Sequence, residues 1–456
     1  MKTFDVIIIG FGKGGKTLAI EFSKHNKTVA VIERSAAMYG GTCINIGCIP
    51  TKTLVHQAKI ATEMMLSTFA AKQHFYAKAI EIKDSVVESL REKNYHNLAD
   101  NTNITLINGT GSFVSSDVVR VVADQEEILL QSDNIIINTG AETIIPQIEG
   151  IDRNPFIYTS TSILDLKRLP NHLIIVGGGY IGLEFASIYA SFGSEVTVLE
   201  TAPDILPRED RDIAASVKRA LEKKGIVFRM NANVQKITHT EKQASVLYQN
   251  TERNEMLAIH GDAVLLATGR RPNTRDLNLS AAGVATDARG AIIVDDYLVT
   301  TQPNIRAVGD VKGGFQFTYI SLDDYRIIRE DLFGTGSRRI SDRNLVAYSV
   351  FIDPPLSHIG MNETEAKRLN QNVLVKTIPL TAIPRAKTLQ ETEGLIKAVI
   401  DPNTNQILGC TLFAPESSEV INLVALAMKQ NLKASYLRDF IFTHPSMSEA
   451  LNDLFS

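Results

Sequence analysis

Cysteine is scarce in this chain of 456 residues, which contains three of them. Three cysteines are too few for the disulfide framework of a small secreted protein. The sequence also lacks an apolar run long enough to span a membrane, and residues 1–10 carry no signal-peptide pattern. A formal charge of −4 without a basic run argues against a nucleic-acid partner. We therefore predict a cytoplasmic protein that has neither a nucleic-acid nor a membrane partner.

Two of the three cysteines lie close together in residues 40–52, which read GGTCINIGCIPTK. Four residues separate Cys43 from Cys48, and Pro50 suits the first turn of a helix. A thiol at a helix N-terminus feels the positive end of the helix dipole, and Lys52 adds a nearby positive charge. Both effects favour the thiolate, so the pattern indicates a redox-active pair. The alternative is that both cysteines are buried as small hydrophobic residues.

Two glycine-rich turns each follow a buried apolar strand and precede a helix, as in dinucleotide-binding βαβ units. The strand that follows the first helix ends at Glu33, and its counterpart in the second copy ends at Glu200. Each position of the second copy lies 167 residues after its equivalent in the first. Glycine allows a tight turn and the close approach of a pyrophosphate to the helix N-terminus. The sequence therefore predicts two dinucleotide sites, one on Gly10, Gly12 and Gly15 and one on Gly177, Gly179 and Gly182.

Residues 10–17 also match a competing motif, G-x-x-x-x-G-K-[ST], which is the phosphate-binding loop of nucleotide hydrolases. In that case Lys16 and Thr17 would bind a triphosphate and magnesium. The motif leaves Glu33, the second glycine-rich copy and the cysteine pair unexplained. We therefore interpret Lys16 as a solvated helix lysine and keep a nucleotide hydrolase only as an alternative from a different class.

The remaining segments suggest how the rest of the chain is organised. We expect a long helical stretch at 53–98, a small β excursion at 103–130, and strands at 134–138, 292–298 and 305–308. After residue 339, strands alternate with amphipathic helices, which is typical of an α+β domain. Glycine and proline near residue 150 favour a domain boundary at that point.

Together, these motifs resemble those of the class I flavoprotein disulfide reductases, which include lipoamide dehydrogenase, glutathione reductase and mercuric reductase. Within that family the chain looks most similar to the reactive-chlorine-resistance flavoproteins, described as reducing copper(II) or hypothiocyanous acid. Residues 37–39, 316–326 and 444–455 carry this narrower resemblance. The resemblance implies an α/β fold class with two Rossmann-like nucleotide-binding domains, for FAD and NAD, and a C-terminal α+β dimerisation domain. Its implied segments are an FAD-binding domain at 1–150, an NAD(P)-binding domain at 151–271, a second FAD or central part at 272–339, and a dimerisation domain at 340–456.

The resemblance implies FAD and NADH as cofactors and no metal site. Glu33 and the first set of glycines match the site of the FAD adenosine and pyrophosphate, and Asp310 matches a carboxylate that contacts the ribityl chain. Glu200 favours NADH because a carboxylate repels a 2′-phosphate, although NADPH stays open. The other implied cofactor-binding positions are Gly41, Thr42, Gly47, Lys52, Gly111, Thr139, Gly140, Gly309, Tyr180, Ile181, Gly269 and Arg270.

The resemblance also gives the two sulfurs different roles. Cys48 would face the flavin as the charge-transfer thiolate, and Cys43 would attack the substrate. Lys52 lies one helical turn after Cys48 and would pair with Glu184. The third cysteine, Cys410, is expected in the core of the C-terminal domain.

His444 and Glu449 match the family's acid–base dyad, in which a carboxylate orients an imidazole. In relatives this dyad reaches the disulfide of the opposite subunit. The resemblance therefore implies a homodimer whose active site is shared between subunits.

The expected reaction passes electrons from NADH through FAD and the Cys43–Cys48 disulfide to a small thiol-reactive oxidant, with hypothiocyanous acid as the first choice. A thiolate can attack such an oxidant and form an adduct that the second sulfur resolves. The alternatives are reduction of copper(II) or mercuric ion, then dihydrolipoamide dehydrogenase activity. The sequence shows no second cysteine pair near the C-terminus, which disfavours thioredoxin reduction and mercury transfer.

Overall fold

The structure is a computed structural model that describes residues 1–123 and 126–456. Its helices are α1 Lys13–Lys24, α2 Thr42–Asn45, α3 Cys48–Glu63, α4 Phe69–Ala99, α5 Tyr180–Phe192, α6 Arg211–Lys223, α7 Thr318–Phe333, α8 Glu363–Arg368, α9 Pro384–Leu389, α10 Ser417–Lys429, α11 Ala434–Arg438 and α12 Ala450–Leu454. Its strands are β1 Lys2–Thr3, β2 Val6–Ile9, β3 Val29–Glu33, β4 Ile104–Asn108, β5 Thr110–Phe113, β6 Val118–Ala123, β7 Glu126–Gln131, β8 Ile135–Ile137, β9 Ala141–Thr143, β10 Ile157–Thr159, β11 His172–Val176, β12 Glu195–Leu199, β13 Ile226–Arg229, β14 Ala232–His239, β15 Ala244–Asn250, β16 Glu255–Gly261, β17 Ala263–Leu266, β18 Arg270–Pro272, β19 Ile305–Ala307, β20 Tyr348–Val350, β21 Leu356–Gly360, β22 Leu374–Pro379, β23 Leu395–Ile400 and β24 Ile407–Phe413.

The chain divides into two compact units, and the first is organised around a parallel sheet with the order β19–β8–β2–β3–β4. Strand β2 consists of four apolar residues that are all buried, as expected of a central parallel strand covered on both faces. Ile7 and Ile9 pack with residues of a second sheet, β1–β7–β6–β5, whereas Val6 and Ile8 pack with residues of α1. The segments of this unit are Met1–Leu54, Lys78–Ile145 and Gly269–Arg343.

The second unit contains a parallel sheet, β10–β17–β11–β12–β13, and an antiparallel sheet, β20–β21–β24–β23–β22. Helix α10 packs on the antiparallel sheet through Val420 and Val424, in a core that also contains Cys410. Cys410 is 1% exposed, and burial raises the pKa of its thiol, so the residue belongs to the core as predicted. The segments of this unit are Val55–Ala77, Pro146–Thr268 and Asn344–Ser456.

The architecture confirms the predicted fold class. Both βαβ units are present, each with a parallel sheet, and the C-terminal segment forms an α+β arrangement around an antiparallel sheet. The four domain boundaries expected from the sequence remain predictions.

Two expectations about secondary structure were wrong. Residues 292–298 form no strand, because the Asp295 carboxylate accepts hydrogen bonds from the amides of Tyr297 and Val299 and bends the chain. The long helical stretch is present as α3 and α4, with one short interruption where Met65 has a φ of 47° and the Thr68 hydroxyl accepts from the amide of Ala71. Strand β4 pairs with β3 in the parallel sheet and is therefore not part of the β excursion.

Candidate functional site

The segment that carries Cys43 and Cys48, residues 40–52, is called the cysteine loop. It lies against the first glycine-rich turn, and two glycines make this approach possible. Gly40 and Gly41 have φ values of 96° and 80°, a region that other residues rarely adopt. A Cβ atom on Gly41 would lie 2.8 Å from the Cα atom of Gly12. Any side chain at Gly41 would therefore push the loop away from the N-terminus of α1.

The two sulfurs come from consecutive helices. Cys43 lies in the short helix α2, and Cys48 is the first residue of α3. Gly47 allows the sharp step between them, because a Cβ atom there would lie 2.9 Å from the carbonyl oxygen of Thr42. Pro50 lies in the first turn of α3, where its missing amide leaves no unpaired donor. Cys43 is half-buried and Cys48 is exposed.

The pKa values of the two thiols are shifted in opposite directions. A hydrogen bond with Cys43 is the main cause that lowers the pKa of Cys48 to about 6, helped by the Thr318 hydroxyl and the charge of Lys52. The Thr318 Oγ1 atom lies 3.7 Å from the Cys48 Sγ atom. The same hydrogen bond, together with burial, raises the pKa of Cys43. The dithiol pair therefore shares one proton, which stays on Cys43 and leaves the negative charge on Cys48.

The first glycine-rich turn is held by groups that are distant in sequence. Gly10 has a φ of 106°, and a Cβ atom there would lie 2.4 Å from the carbonyl oxygen of Asn138. The amide of Gly15 donates to the Asn138 side-chain oxygen at 2.9 Å. Glu33 is buried and accepts from the amide of Phe11 at 3.0 Å, and burial raises its pKa.

Asp310 lies in a short 3-10 turn that starts at Gly309. The amide of Gly309 donates to the fully buried carboxylate of Asp324 at 2.6 Å, which fixes the turn. Burial raises the pKa of Asp310, while the positive charges of Arg270 and Lys312 act in the opposite direction. A carboxylate with this surrounding can accept hydrogen bonds from a polyhydroxyl chain.

Other predicted cofactor contacts also belong to the first unit. The Thr139 hydroxyl donates to the carbonyl oxygen of Asn273, and the amide of Asn273 donates to the carbonyl oxygen of Gly140. Gly111 is buried in β5, where a Cβ atom would lie 3.3 Å from Ile9. Gly269 precedes β18, the strand of Arg270, which pairs with β9 in the same unit.

The second glycine-rich turn repeats the first in the other unit. Gly177 has a φ of 111°, and a Cβ atom there would lie 2.5 Å from the carbonyl oxygen of Ala267. A Cβ atom on Gly182 would lie 2.0 Å from the carbonyl oxygen of Gly177. Glu200 accepts from the amide of Gly178 at 2.6 Å, as Glu33 does from Phe11. Within residues 1–123 and 126–456, no other group lies within 4 Å of a Cβ atom built on Gly179, so space is open at this helix N-terminus.

Helix α5 starts at Tyr180 and continues with Ile181. The Tyr180 hydroxyl donates to the Glu209 carboxylate at 2.6 Å, and Tyr348 donates to the same oxygen. Burial, followed by the charge of Glu209, raises the pKa of Tyr180. The ring is thus fixed at the start of the helix by a hydrogen bond within the second unit.

Lys52 and Glu184 belong to different units, so their predicted ion pair remains a prediction. The charge of Lys52 contributes to the lowered pKa of Cys48, in agreement with a place on the same side of α3. One oxygen of Glu184 accepts from the amide of Phe351 at 2.7 Å, which ties α5 to the segment after β20.

The structure brings His444 and Glu449 together as the sequence predicts. The His444 Nδ1 atom lies 2.9 Å from both carboxylate oxygens of Glu449. This bond leaves the Nε2 atom of His444 as the proton-handling position, and the side chain is 68% exposed. An exposed and oriented imidazole is suited to act on a group outside its own unit.

One interpretation of the sequence was wrong. Lys16 is buried and not a solvated helix lysine, because its side chain is 9% exposed. Its Nζ atom lies 3.5 Å from the carbonyl oxygen of Gly40 and also donates to the side chain of Asn94. The hydroxyl of Thr17 donates to the carbonyl oxygen of Lys13 at 2.7 Å. Both side chains of the competing phosphate-loop motif therefore bond to groups of this chain.

Several residues that shape the site carried no role in the sequence analysis. Thr318 and Ser321 lie within the stretch 316–326 that supports the resemblance, but nothing in their spacing pointed to Cys48 or to the glycine-rich turn. Ser321 accepts from the amide of Gly14 at 3.0 Å. Asn138 was expected only as the end of a strand. These roles depend on tertiary packing, and one sequence offers no signal for them.

Two other features, membrane-spanning helices and metal-binding clusters, are absent from the described residues. In residues 1–123 and 126–456, no helix has both the length and the apolar character needed to cross a membrane. The same ranges contain no group of three or more His, Cys, Asp or Glu side chains that could hold a metal ion.

Comparison with known families matches nearly the whole chain. Residues 4–324 match the model of the pyridine nucleotide-disulphide oxidoreductases, and residues 346–455 match the dimerisation domain of the same family. The family is FAD-dependent and uses a nicotinamide dinucleotide. The C-terminal match is that of a dimerisation domain, as the sequence predicts.

Individual relatives agree with this match. The chain is 50% identical over 456 residues to the probable pyridine nucleotide-disulfide oxidoreductase RclA of Escherichia coli, covering all of this chain and 99% of RclA. It is 34% identical to the mercuric reductase of Lysinibacillus sphaericus, covering 98% of this chain and 81% of that enzyme. It is 32% identical to dihydrolipoyl dehydrogenase 1 of Arabidopsis thaliana, covering 98% and 89%.

A solved structure shows the same architecture. The Cu(II) complex of the HOCl-induced flavoprotein disulfide reductase RclA from Escherichia coli has a TM-score of 0.93, with 49% sequence identity over all of this chain and 99% of that one. These findings agree with the two glycine-rich turns, the cysteine pair and the C-terminal α+β segment. The chain belongs to the pyridine nucleotide-disulphide oxidoreductase family.

Proposed function

We propose that the protein is an NADH-dependent FAD disulfide reductase that uses Cys43 and Cys48 to reduce a small thiol-reactive oxidant, hypothiocyanous acid in the first place. The observation that carries the proposal is the hydrogen bond between the two sulfurs, which raises the pKa of Cys43 and lowers that of Cys48 to about 6. Cys48 is held as the thiolate near neutral pH, and Cys43 is held as the protonated partner. The two sulfurs therefore differ in protonation before the reaction starts, as expected if each acts in a different step. The likeness to RclA, described as HOCl-induced, supports an oxidant as the substrate.

The residues of the first unit fit FAD. Glycine at Gly10, Gly12 and Gly41 keeps side chains away from the N-terminus of α1, which suits a pyrophosphate. Glu33 ends the adjacent strand and would accept from the ribose, and the turn held by Asp324 presents Asp310. When bound, FAD supplies the two-electron carrier between NADH and the disulfide.

The sulfur chemistry balances without a further reactant. In the reductive half, the electron pair from NADH opens the disulfide, Cys43 takes up the proton released with that pair, and Cys48 remains a thiolate. In the oxidative half, Cys43 loses its proton and attacks the sulfur of hypothiocyanous acid, and hydroxide leaves as water with that proton. Cys48 then attacks the sulfur of Cys43 and releases thiocyanate, which restores the disulfide. One NADH is oxidised for each oxidant molecule.

His444 would handle the proton of Cys43. The Glu449 carboxylate fixes the imidazole through Nδ1, so Nε2 can take the proton from Cys43 and return it to the leaving hydroxide. We propose that the His444 that serves each Cys43 belongs to a second copy of the chain. The support is the dimerisation-domain match at 346–455, which includes His444 and Glu449.

A mixing experiment tests the shared active site. His444→Ala and Cys43→Ser are each expected to be inactive, yet unfolding and refolding them together should restore activity. Random pairing makes about half of the dimers mixed, each with one complete site, so about a quarter of wild-type activity should return. Absence of any recovery would show that the dyad serves the cysteines of its own chain.

NADH is the proposed electron donor because a carboxylate at Glu200, after the second strand of the βαβ unit, would repel a 2′-phosphate. Its carboxylate is fixed by the amides of Gly178 and Ala202, so it cannot turn away without losing both bonds. NADPH remains the alternative donor.

Steady-state oxidation of NADH by one purified sample tests the substrate assignment. The four acceptors to compare are hypothiocyanous acid, copper(II), lipoamide and glutathione disulfide. We expect the highest turnover with hypothiocyanous acid, and Cys43→Ser should retain FAD and NADH binding but lose that turnover. Strong turnover on lipoamide alone would overturn the assignment.

Reduction of copper(II) is the second candidate, because a Cu(II) complex of RclA has the same fold as this chain. Two copper(II) ions would each accept one electron while Cys43 and Cys48 form the disulfide and release one proton. Thiolates are soft ligands that suit copper(I), the product. Higher turnover with copper(II) than with hypothiocyanous acid would favour this candidate.

A further inference from the structure

Lys16 is a buried and charged residue that takes no part in the proposed reaction. Its Nζ atom bonds to the carbonyl oxygen of Gly40 and to Asn94, so it joins α1, the cysteine loop and α4. Among the residues that the structure describes, no carboxylate forms an ion pair with it. Both partners are neutral acceptors, and the positive charge is not cancelled.

A buried ammonium without a carboxylate is costly, and lysine is rarely buried unless it is paired. Burial lowers the pKa of Lys16 to about 8, which still leaves the amine protonated at neutral pH. The buried positive charge of Lys16 would be useful if a negative charge formed close to it during the reaction. Cys43 fulfils this condition, because it lies three residues after Gly40, whose carbonyl oxygen is 3.5 Å from the Lys16 Nζ atom. The charge of Lys16 lowers the pKa of Cys43, in agreement with this placement.

The loop that carries Cys43 is held by two residues of the same face of α4. Asn94 accepts from Lys16, and Arg91, one turn earlier, donates from Nε to the Asn45 side chain at 2.8 Å. Asn45 in turn donates to the carbonyl oxygen of Gly41. Lys16 and Arg91 therefore fix the carbonyl groups of Gly40 and Gly41, directly and through Asn45.

We propose that Lys16 is a positioning residue for Cys43, which fixes the Gly40 end of the loop and holds a positive charge behind the attacking sulfur. The inference rests on the proposed function, in which Cys43 attacks the oxidant. In the resting dithiol the negative charge lies on Cys48, where Lys52 supports it. When Cys43 gives its proton to His444, the new negative charge forms on the loop that Lys16 contacts at Gly40, and Lys16 is protonated at neutral pH.

The test uses a protein in which Cys43 is the only thiol of the loop. In Cys48→Ser holoprotein, the rate of Cys43 alkylation by iodoacetamide is measured across pH by mass spectrometry. The groups that face Cys43 are then residue 48, Thr318 and Lys16, and the charged neighbour of Lys16 is Lys13. Adding Lys16→Gln should slow alkylation at neutral pH about tenfold, the effect of raising the thiol pKa by one unit.

Two further variants separate the charge from the packing. Lys16→Arg should recover most of the alkylation rate because it keeps the charge. Asn94→Asp keeps Lys16 but pairs it with a carboxylate, so it should slow alkylation as Lys16→Gln does. The matched control is Lys24→Gln, which removes an exposed charge from the same helix and should leave the rate unchanged.

The alternative role for this cation is to neutralise the pyrophosphate of FAD. If Lys16→Gln loses FAD while the rate of Cys43 alkylation stays unchanged, the charge serves the cofactor and the proposal is wrong. An alkylation rate that Asn94→Asp leaves unchanged would also contradict it. Failure of the acceptor comparison would instead overturn the proposed oxidant, because alkylation of Cys43 does not depend on turnover.

Discussion

The two glycine-rich turns have nearly the same backbone but different surroundings. Gly10 and Gly177 have φ values of 106° and 111°, and Cβ atoms built on them would lie 2.4 and 2.5 Å from a carbonyl oxygen. In each copy, a carboxylate at the end of the next strand accepts from the amide after the first glycine; the carboxylate is that of Glu33 or Glu200. The pattern G-x-G-x-x-G therefore fixes the same local geometry in both units.

The surroundings differ at the first turn of the following helix. In the first copy, the amides of Gly14 and Gly15 donate to Ser321 and Asn138, and Gly12 is in contact with Asn138. In the second copy, no other group in the described part of the chain lies within 4 Å of a Cβ atom on Gly179. At the middle glycine, the first turn is thus enclosed by a distant segment of the chain, whereas the second turn is open. An enclosed site suits a cofactor that stays bound, and an open one suits a dinucleotide that must leave after each turnover.

We expect the largest difference between the two turns from alanine substitutions at their middle glycines, Gly12 and Gly179. Gly12 and Gly179 share nearly the same backbone, with φ values of −71° and −79° that alanine tolerates. In Gly12→Ala the new Cβ would lie 2.4 Å from the Asn138 Oδ1 atom, and we expect a loss of about 3 kcal/mol in the free energy of unfolding, together with loss of FAD. Gly179→Ala should stay within about 0.5 kcal/mol of wild type.

Urea denaturation and FAD absorbance measure both variants, and the KM for NADH completes the comparison. Because the space at Gly179 is open in the protein, any loss in Gly179→Ala should appear only as a higher KM for NADH. Equal destabilisation by the two substitutions would show that the second site is as enclosed as the first.

Removing the Asn138 side chain should have the next largest effect. Asn138 is 6% exposed, accepts from the Gly15 amide and donates to the carbonyl oxygen of Val308 at 2.9 Å. Asn138→Ala leaves a buried donor and a buried acceptor without partners, so we expect a loss of about 1–3 kcal/mol and faster release of FAD. Asn134→Ala, which removes an exposed asparagine of the preceding segment, is the control. Unchanged FAD release would mean that Asn138 does not close the first site.

Asn138 also shows which features of the site could not be predicted from the sequence alone. The glycines, both carboxylates and the cysteine pair were predictable, because each depends on spacing within about 40 residues that local geometry fixes. Asn138 and Ser321 bond to amides that lie 123 and 307 residues away in sequence, so their role follows only from the packing of the whole unit. Lys16 was misjudged for the same reason, since a helix position alone does not reveal that α4 covers it.

The seven-residue stretch at 292–298 illustrates a different limit. Its apolar residues favour a strand, yet Asp295 offers the backbone a local hydrogen-bonding alternative that wins over pairing. Residue spacing predicts elements well where side chains only pack. It fails where a polar side chain competes for the backbone.

Two neighbouring hydroxyls on α7 sharpen the comparison further, because Thr318 lies beside Cys48 and Ser321 accepts from the amide of Gly14. After Cys43, the hydroxyl of Thr318 is the next group that lowers the pKa of Cys48 below its usual value, to about 6. Thr318→Val should therefore raise that pKa by up to about one unit, so that about tenfold less thiolate is present below pH 6. The pH dependence of thiolate absorbance in the reduced protein measures the shift.

Ser321→Ala is the matched variant, one turn further along α7. It removes the acceptor of the Gly14 amide and should weaken FAD binding, but it should leave the titration of Cys48 unchanged. If both variants shift the titration equally, the turn of α7 acts on the sulfur as a whole and not through the Thr318 hydroxyl.

The smallest expected effect concerns the choice between NADH and NADPH, where the two carboxylates should behave differently. Glu200 is half-buried in an open site, and one unit charge at about 4 Å in water is worth about 1 kcal/mol, or about fivefold in affinity. Glu200→Gln should therefore lower the KM for NADPH about fivefold while raising that for NADH slightly. Glu33→Gln should change neither KM, since it acts on the enclosed site, and should instead reduce the retention of FAD. Steady-state kinetics with both dinucleotides decide the matter: wild-type protein that uses NADPH as well as NADH would show that the carboxylate of Glu200 does not select the donor.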